Sequence, residues 1–91
     1  MFELGQTVMT RGIANAMESN PQFREEVTES MDKYVRCDWG NTCEEDAEMN
    51  NEAVRNGEDS ILASYNTSQG TIWIKTEWDK SVTTVLFPSE Y

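Results

Sequence analysis

The hydrophobic pattern of the chain changes period at Asn56-Gly57, and that change limits the folds open to it. Ahead of the break, Phe23, Val27, Met31, Tyr34 and Val35 recur at helical spacing. After it, "SILASYN", "TIWIKTEW" and "VTTVLF" are rich in the β-branched and aromatic residues that suit a pleated strand. "TSQG" and "DKS" between these runs are turn-like, so an antiparallel three-stranded meander is expected. Helical segments followed by strands give an α+β fold, here two longer helices and one short helix packed on a small antiparallel sheet. Ninety-one residues make one domain, spanning positions 1–91. Simple alternation puts Ile61, Ala63, Tyr65, Ile72, Ile74, Val82 and Leu86 on one sheet face, and Leu62, Trp73, Val85 and Phe87 on the other. Both faces are then partly apolar. The face away from the helices needs a cover, expected from a second copy, a partner or the N-terminal segment.

The helical half carries its own punctuation. "FELGQTVMTRG" reads as a short strand running into a turn, followed by a short helix from Gly12 to Ser19 with Ile13, Ala16 and Met17 on one side. Asn20-Pro21 is a helix start, an N-cap residue with proline in the first turn. Glu25 and Glu26 are expected in that first turn, with Lys33 and Arg36 near the other end, as the helix dipole favours. Gly40 interrupts the chain, and Thr42 with Glu45 then has the spacing of a capping box. The helix it opens should stop at Asn56-Gly57. Its apolar face is only Ala47, Met49, Ala53 and Val54, so shallow packing is expected.

Charge narrows the function classes. Seventeen acidic residues against seven basic give a formal charge of −10. Direct nucleic-acid binding is disfavoured, because phosphates are held mostly by Lys and Arg, and anionic membranes are disfavoured likewise. An acidic domain suits a basic partner, including the nucleic-acid-binding face of another protein. The plainer alternative is that the acidity serves solubility. No run is long and apolar enough for a membrane span, and the N-terminus lacks the pattern of a signal peptide, so a cytoplasmic location is expected.

The chain has no histidine, which removes Ser-His-Asp and Cys-His catalysis and the commonest zinc ligand. Two cysteines, Cys37 and Cys43, do not complete a tetrahedral thiolate site and are expected as free thiols. "DWGNTCEEDAEM" offers hard oxygen ligands but has its glycine in the third position, unlike a calcium loop. Lys33, Lys75 and Lys80 are preceded, two residues earlier, by Met31, Trp73 and Trp78, so the carboxylate–lysine pattern of a restriction-type nuclease is missing. No glycine cluster precedes a Lys-Ser or Lys-Thr pair to cradle phosphate. No metal and no cofactor is implied.

What remains is a charge pattern. Glu44, Glu48 and Glu52 occupy successive i, i+4 positions and place a line of carboxylates on one helical edge. Asp38, Asp46, Glu58 and Asp59 flank that line. Adjacent carboxylates at this spacing are about 5–6 Å apart, of the order of the spacing between phosphates along a nucleic-acid strand. The competing reading is an ordinary solvated face. Trp39, between two helices, reads as a plug closing the core. Trp73 and Trp78 fall on opposite sides of one strand, one expected in the core and the other as an interface anchor.

Leu4-Gly5, Asp38-Trp39-Gly40, Glu45-Asp46 with Asn50 and Ala53, "ILASY", and the terminal "IWIKTEWDKSVTTVLFPSEY" together resemble a family of short proteins carried by bacterial plasmids, phages and integrated elements. The family shows an Ile-Trp strand, a Thr-Glu pair, an acidic-basic-Ser turn and a Pro-x-Glu-Tyr ending. The likeness covers nearly the whole chain and is most specific in its last third. Cys37 stands where such proteins often have glycine, and Trp78 where they often have a small residue. The resemblance implies a mobile-element origin without an established enzymatic role. Joined to the charge pattern, it leads to the expectation of a non-enzymatic, anti-defence protein that blocks a basic nucleic-acid-binding surface on a restriction or CRISPR effector. Two alternatives stand beside it. One is a small homodimeric accessory or regulatory module. The other is an enzyme using Asp38, Asp46 and Glu77, with a divalent ion.

Overall fold

In the computed structural model, which describes residues 2–91, three helices and a four-stranded sheet share one core. The order is β1 (Gln6–Met9), α1 (Arg11–Ser19), α2 (Pro21–Val35), α3 (Glu44–Asn56), β2 (Ile61–Thr67), β3 (Gly70–Thr76), β4 (Val82–Leu86) and a 3-10 turn at Pro88–Glu90. The expected α+β class holds. The sheet, however, is mixed rather than antiparallel. Its spatial order is β1-β4-β3-β2, with β1 parallel to β4. The whole helical half lies between β1 and the meander, so the chain has room to return in the same direction.

Gly5 makes that pairing possible. It has φ +64°, and a Cβ there would run into the carbonyls of Lys80 and Ser81. The next residue, Gln6, donates its N–H to the Ser81 carbonyl at 3.1 Å.

α1 and α2 meet at Asn20, which closes the first helix and caps the second by accepting the Phe23 N–H at 3.2 Å. α2 buries Phe23, Val27, Ser30 and Tyr34, and Phe23 stacks on Phe87 with ring centroids 5.8 Å apart. Glu25 and Glu26 lie beyond the first turn, because the helix begins at Pro21. The Glu26 carboxylate instead accepts the Ser68 N–H and hydroxyl, bracing the β2–β3 turn. α2 closes in a Schellman motif, with Cys37 N–H to Tyr34 carbonyl at 3.1 Å and Asp38 N–H to Lys33 carbonyl at 2.9 Å. That motif gives Cys37 φ +64°, a geometry glycine adopts most easily.

Register corrects one expectation about the core. β3 pairs with β4 as Ile74↔Val85 and Thr76↔Thr83, so the helix-facing residues of β4 are Thr83 and Val85 rather than Val82 and Leu86. The β3–β4 turn sets this phase, with Lys80 at φ +60°. Two threonines thus enter the core, and they are satisfied in series. Thr83 Oγ1 donates to the Leu4 carbonyl at 2.7 Å and lies 2.8 Å from Thr76 Oγ1, which lies 2.6 Å from Tyr34 Oη. A carbonyl only accepts and each hydroxyl carries one proton, so the chain runs Tyr34 to Thr76 to Thr83 to Leu4. Burial pushes the Tyr34 phenol above its usual range, which keeps the donor protonated.

The second sheet face is covered in part from within. Tyr91 packs edge-on against Trp73, centroids 5.7 Å apart, and its ring lies under the Lys75 ammonium at 5.1 Å. The N-terminal segment extends the sheet through β1 instead of covering it. Glu90, next to Tyr91, accepts the Thr10 hydroxyl at 2.6 Å and the Gly12 N–H at 3.1 Å, fastening the C-terminus to the start of α1. No helix among the described residues is long and apolar enough to cross a membrane.

Candidate functional site

α3 is held by two side-chain amides together with a small apolar contact, Ala53 in the core and Ala47 and Val54 packed against it. Only Asn50 and Ala53 of this helix are buried. The Asn50 side chain donates to the Leu62 carbonyl at 2.8 Å and accepts the Leu62 N–H at 3.3 Å. It thereby stands in for the neighbouring strand that the β2 edge lacks. One residue on, Asn51 accepts the Trp39 indole N–H at 2.8 Å. Trp39 is buried against Phe2 and Tyr34, as the plug reading expects.

The rest of the β2 edge is closed by residues 40–42. Gly40 bridges Ser64, and Asn41 N–H donates to the Ser64 carbonyl at 2.7 Å. Thr42 Oγ1 accepts the Ser64 N–H at 2.9 Å and donates to the Trp39 carbonyl at 2.6 Å. Thr42 is therefore not the N-cap. Cys43 takes that position without a side-chain bond, because the sheet edge uses the threonine hydroxyl. Gly40 has φ +62°, and a Cβ on it would meet the Tyr65 ring. Gly57 ends α3 in the left-handed conformation, as expected. Both cysteines are free thiols.

With one face pinned to the edge, the rest of α3 projects its acids. Glu44, Glu45 and Asp46 fall in the first turn, where the helix dipole favours negative charge. Glu44, Glu48 and Glu52 are all exposed. A helical step of about 100° per residue carries Glu52 roughly 80° round from Glu44, so the line of carboxylates is a spiral rather than a straight edge. Glu48 lies 3.9 Å from Arg55, with both side chains well exposed. Such a pair contributes little.

Asp46, Glu52 and Asp59 border one hollow without converging on a point. They line a surface groove of about 530 Å³ between α3, the start of β2 and the β3–β4 turn, with Met49, Asn50, Ser60, Leu62 and Trp78. Glu44, Glu48, Glu58 and Asp38 do not line it. Glu58 is exposed beyond the helix end. Asp38 serves its own turn, accepting the Gly40 N–H at 3.2 Å, while its backbone carbonyl accepts the Tyr65 hydroxyl at 2.7 Å. Burial raises the Tyr65 phenol above its ordinary range, which suits that donor role.

The groove has features that alternation did not show. Trp78 lies in the turn after β3, 65% exposed, and Trp73 is half-buried against Tyr91, so neither tryptophan joins the core. Met49 is 66% exposed and Leu62 36%. A second hollow of about 230 Å³ shares Asp46 and Leu62 with the first and runs on to Trp73. Lys80 holds the Trp78 turn against the α3–β2 connection, donating from Nζ to the Asp59 carbonyl at 2.7 Å and the Trp78 carbonyl at 3.2 Å. Glu77 pairs with Lys75 at 3.6 Å. The sequence signal for the groove was Trp78 itself, a large aromatic in an otherwise polar turn.

Among the described residues no three carboxylates or thiols gather closely enough to hold a metal ion, so Asp38, Asp46 and Glu77 do not converge. Compared with models of known families, with characterised proteins and with solved structures, the chain finds no match.

Proposed function

We propose that this protein is a non-enzymatic interaction module of a mobile genetic element, one that occupies the basic nucleic-acid-binding surface of a host defence nuclease. The observation that carries the reading is the charge of α3. Glu44, Glu45, Asp46, Glu48 and Glu52 are exposed on a thirteen-residue helix whose one cation is Arg55. The helix is held to the body by Asn50, Asn51 and Ala53, so these carboxylates are not spent on the fold. They are presented to solvent from a fixed support, an arrangement that favours fast, salt-sensitive association with a basic surface.

The test is competition. The tagged protein is used to recover its partner from lysate of the natural host, and the partner is then offered nucleic acid and the protein together. Mutual exclusion, with release at high salt, is the expected result. A Glu44→Lys, Glu48→Lys, Glu52→Lys variant should keep its circular dichroism spectrum, since none of the three is buried, and should lose the partner. Equal binding by that variant would end the proposal.

A further inference from the structure

Exposed large apolar side chains are few on this molecule, and three of the five, Met49, Leu62 and Trp78, converge on one groove. Every ionisable side chain lining that groove is acidic: Asp46, Glu52 and Asp59. Apolar side chains among three carboxylates, with the Lys80 ammonium turned to the Asp59 and Trp78 carbonyls at one end, are an unusual surface for a small soluble domain, where scattered apolar residues are the norm. The combination selects the chemistry of an occupant. A phosphate or an acidic peptide is repelled, and a purely apolar segment would desolvate three carboxylates without compensation. A flat cation meets both demands. A guanidinium stacks on an indole face and donates to carboxylates at its edge, whereas a lysine ammonium satisfies the charge but stacks less well.

We infer that this groove receives an arginine side chain of an extended segment on a protein partner, with Trp78 as the stacking platform and the carboxylates along the groove, Asp46, Glu52 and Asp59, as the source of the attracting charge. The Lys80 contacts to the Asp59 and Trp78 carbonyls hold the platform beside the carboxylates before any ligand arrives. The adjoining hollow toward Trp73 gives the segment a path along the outside of β2. The inference rests on the proposed function for the source of the segment, and it adds the contact residue and its side-chain chemistry.

The experiment is a titration of the intact, isotope-labelled protein, followed by NMR at the three indole N–H signals. The probes are a short capped peptide of alternating arginine and glycine and its lysine counterpart. The arginine peptide should shift the Trp78 indole signal and leave that of Trp39, which is buried and bonded to Asn51. The lysine peptide should bind several-fold more weakly. Trp78→Ala should weaken the arginine peptide by about tenfold, the size expected for a partly desolvated cation–π contact, and the lysine peptide by clearly less. Equal affinity for the two peptides, an arginine complex that does not move Trp78, or no binding of the arginine peptide would each overturn the inference. Its fate is separable from that of the function. A host partner lost by the α3 charge reversal but kept by Trp78→Ala would sink the groove and spare the mimic. Groove binding without any host partner that competes with nucleic acid would do the reverse.

Discussion

α2 and α3 are similar in length, fifteen and thirteen residues, and are attached to the same sheet by different chemistry. α2 offers Phe23, Val27, Ser30 and Tyr34 to the core and lies across the sheet face. α3 offers Asn50 and Ala53 and lies along the β2 edge. Side-chain burial is non-directional, and it commits an entire stripe of the helix to the interior. Two amide groups commit almost none of it, since each satisfies directional donors and acceptors at one point. The acidic helix can therefore stay fixed while Met49 and its carboxylates remain available. α1 shows a third mode, its N-terminus tied to the Glu90 carboxylate.

Three substitutions would break or sharpen this contrast. The largest effect is expected from Phe23→Ala, which removes a fully buried ring from the α2 side. About 3–5 kcal/mol of stability should be lost, read from the shift of the urea unfolding midpoint. If α3 depends on its amides, Asn50→Ala should cost about 1–3 kcal/mol by leaving the Leu62 N–H and carbonyl without their partner. The discriminating readout is local. Amide exchange at Leu62 should accelerate in Asn50→Ala beyond what global destabilisation explains, and a uniform change would show that the edge contact is dispensable.

The smallest effect concerns Glu90, which lies at the surface. The Thr10 hydroxyl, then the Phe87 and Gly12 N–H groups, hold its carboxyl below the ordinary value of 4.5. A depressed folded-state pKa contributes stability that is present above the unfolded value and lost as pH falls through the folded one. Glu90→Gln should thus be less stable than the parent at neutral pH, and the gap should narrow below pH 4.5. A gap independent of pH would show that the amide lacks something other than charge.

Several residues of the turns and termini sit in supporting positions. Gly5 lets β1 approach β4, Asp38 and Gly40 shape the turn before α3, Trp39 fills the core, and Glu90 and Tyr91 fasten the C-terminus. Cys37 occupies a backbone conformation that glycine adopts most easily. Trp78 is the most exposed tryptophan and lines the groove.

Local chemistry was enough for the sequence to determine the elements. Helical spacing from Phe23 to Tyr34, the Asn20 cap, the Gly57 stop and the strand composition after it all act within a few residues, and all appear in the structure. Tertiary structure alone decided what depends on distant groups meeting. The phase of β4 followed the conformation of one turn, and the direction of β1 followed the close approach at Gly5. Thr42 abandoned its expected cap because an edge strand twenty-two residues away needed the same hydroxyl. Of the line Glu44, Glu48 and Glu52 and its flanking acids, Asp46, Glu52 and Asp59 border the groove and Asp38, Glu44, Glu48 and Glu58 do not. A linear pattern gives the angle of each residue around its own helix, but which angle faces a neighbouring loop depends on where Asn50 pins that helix to the sheet.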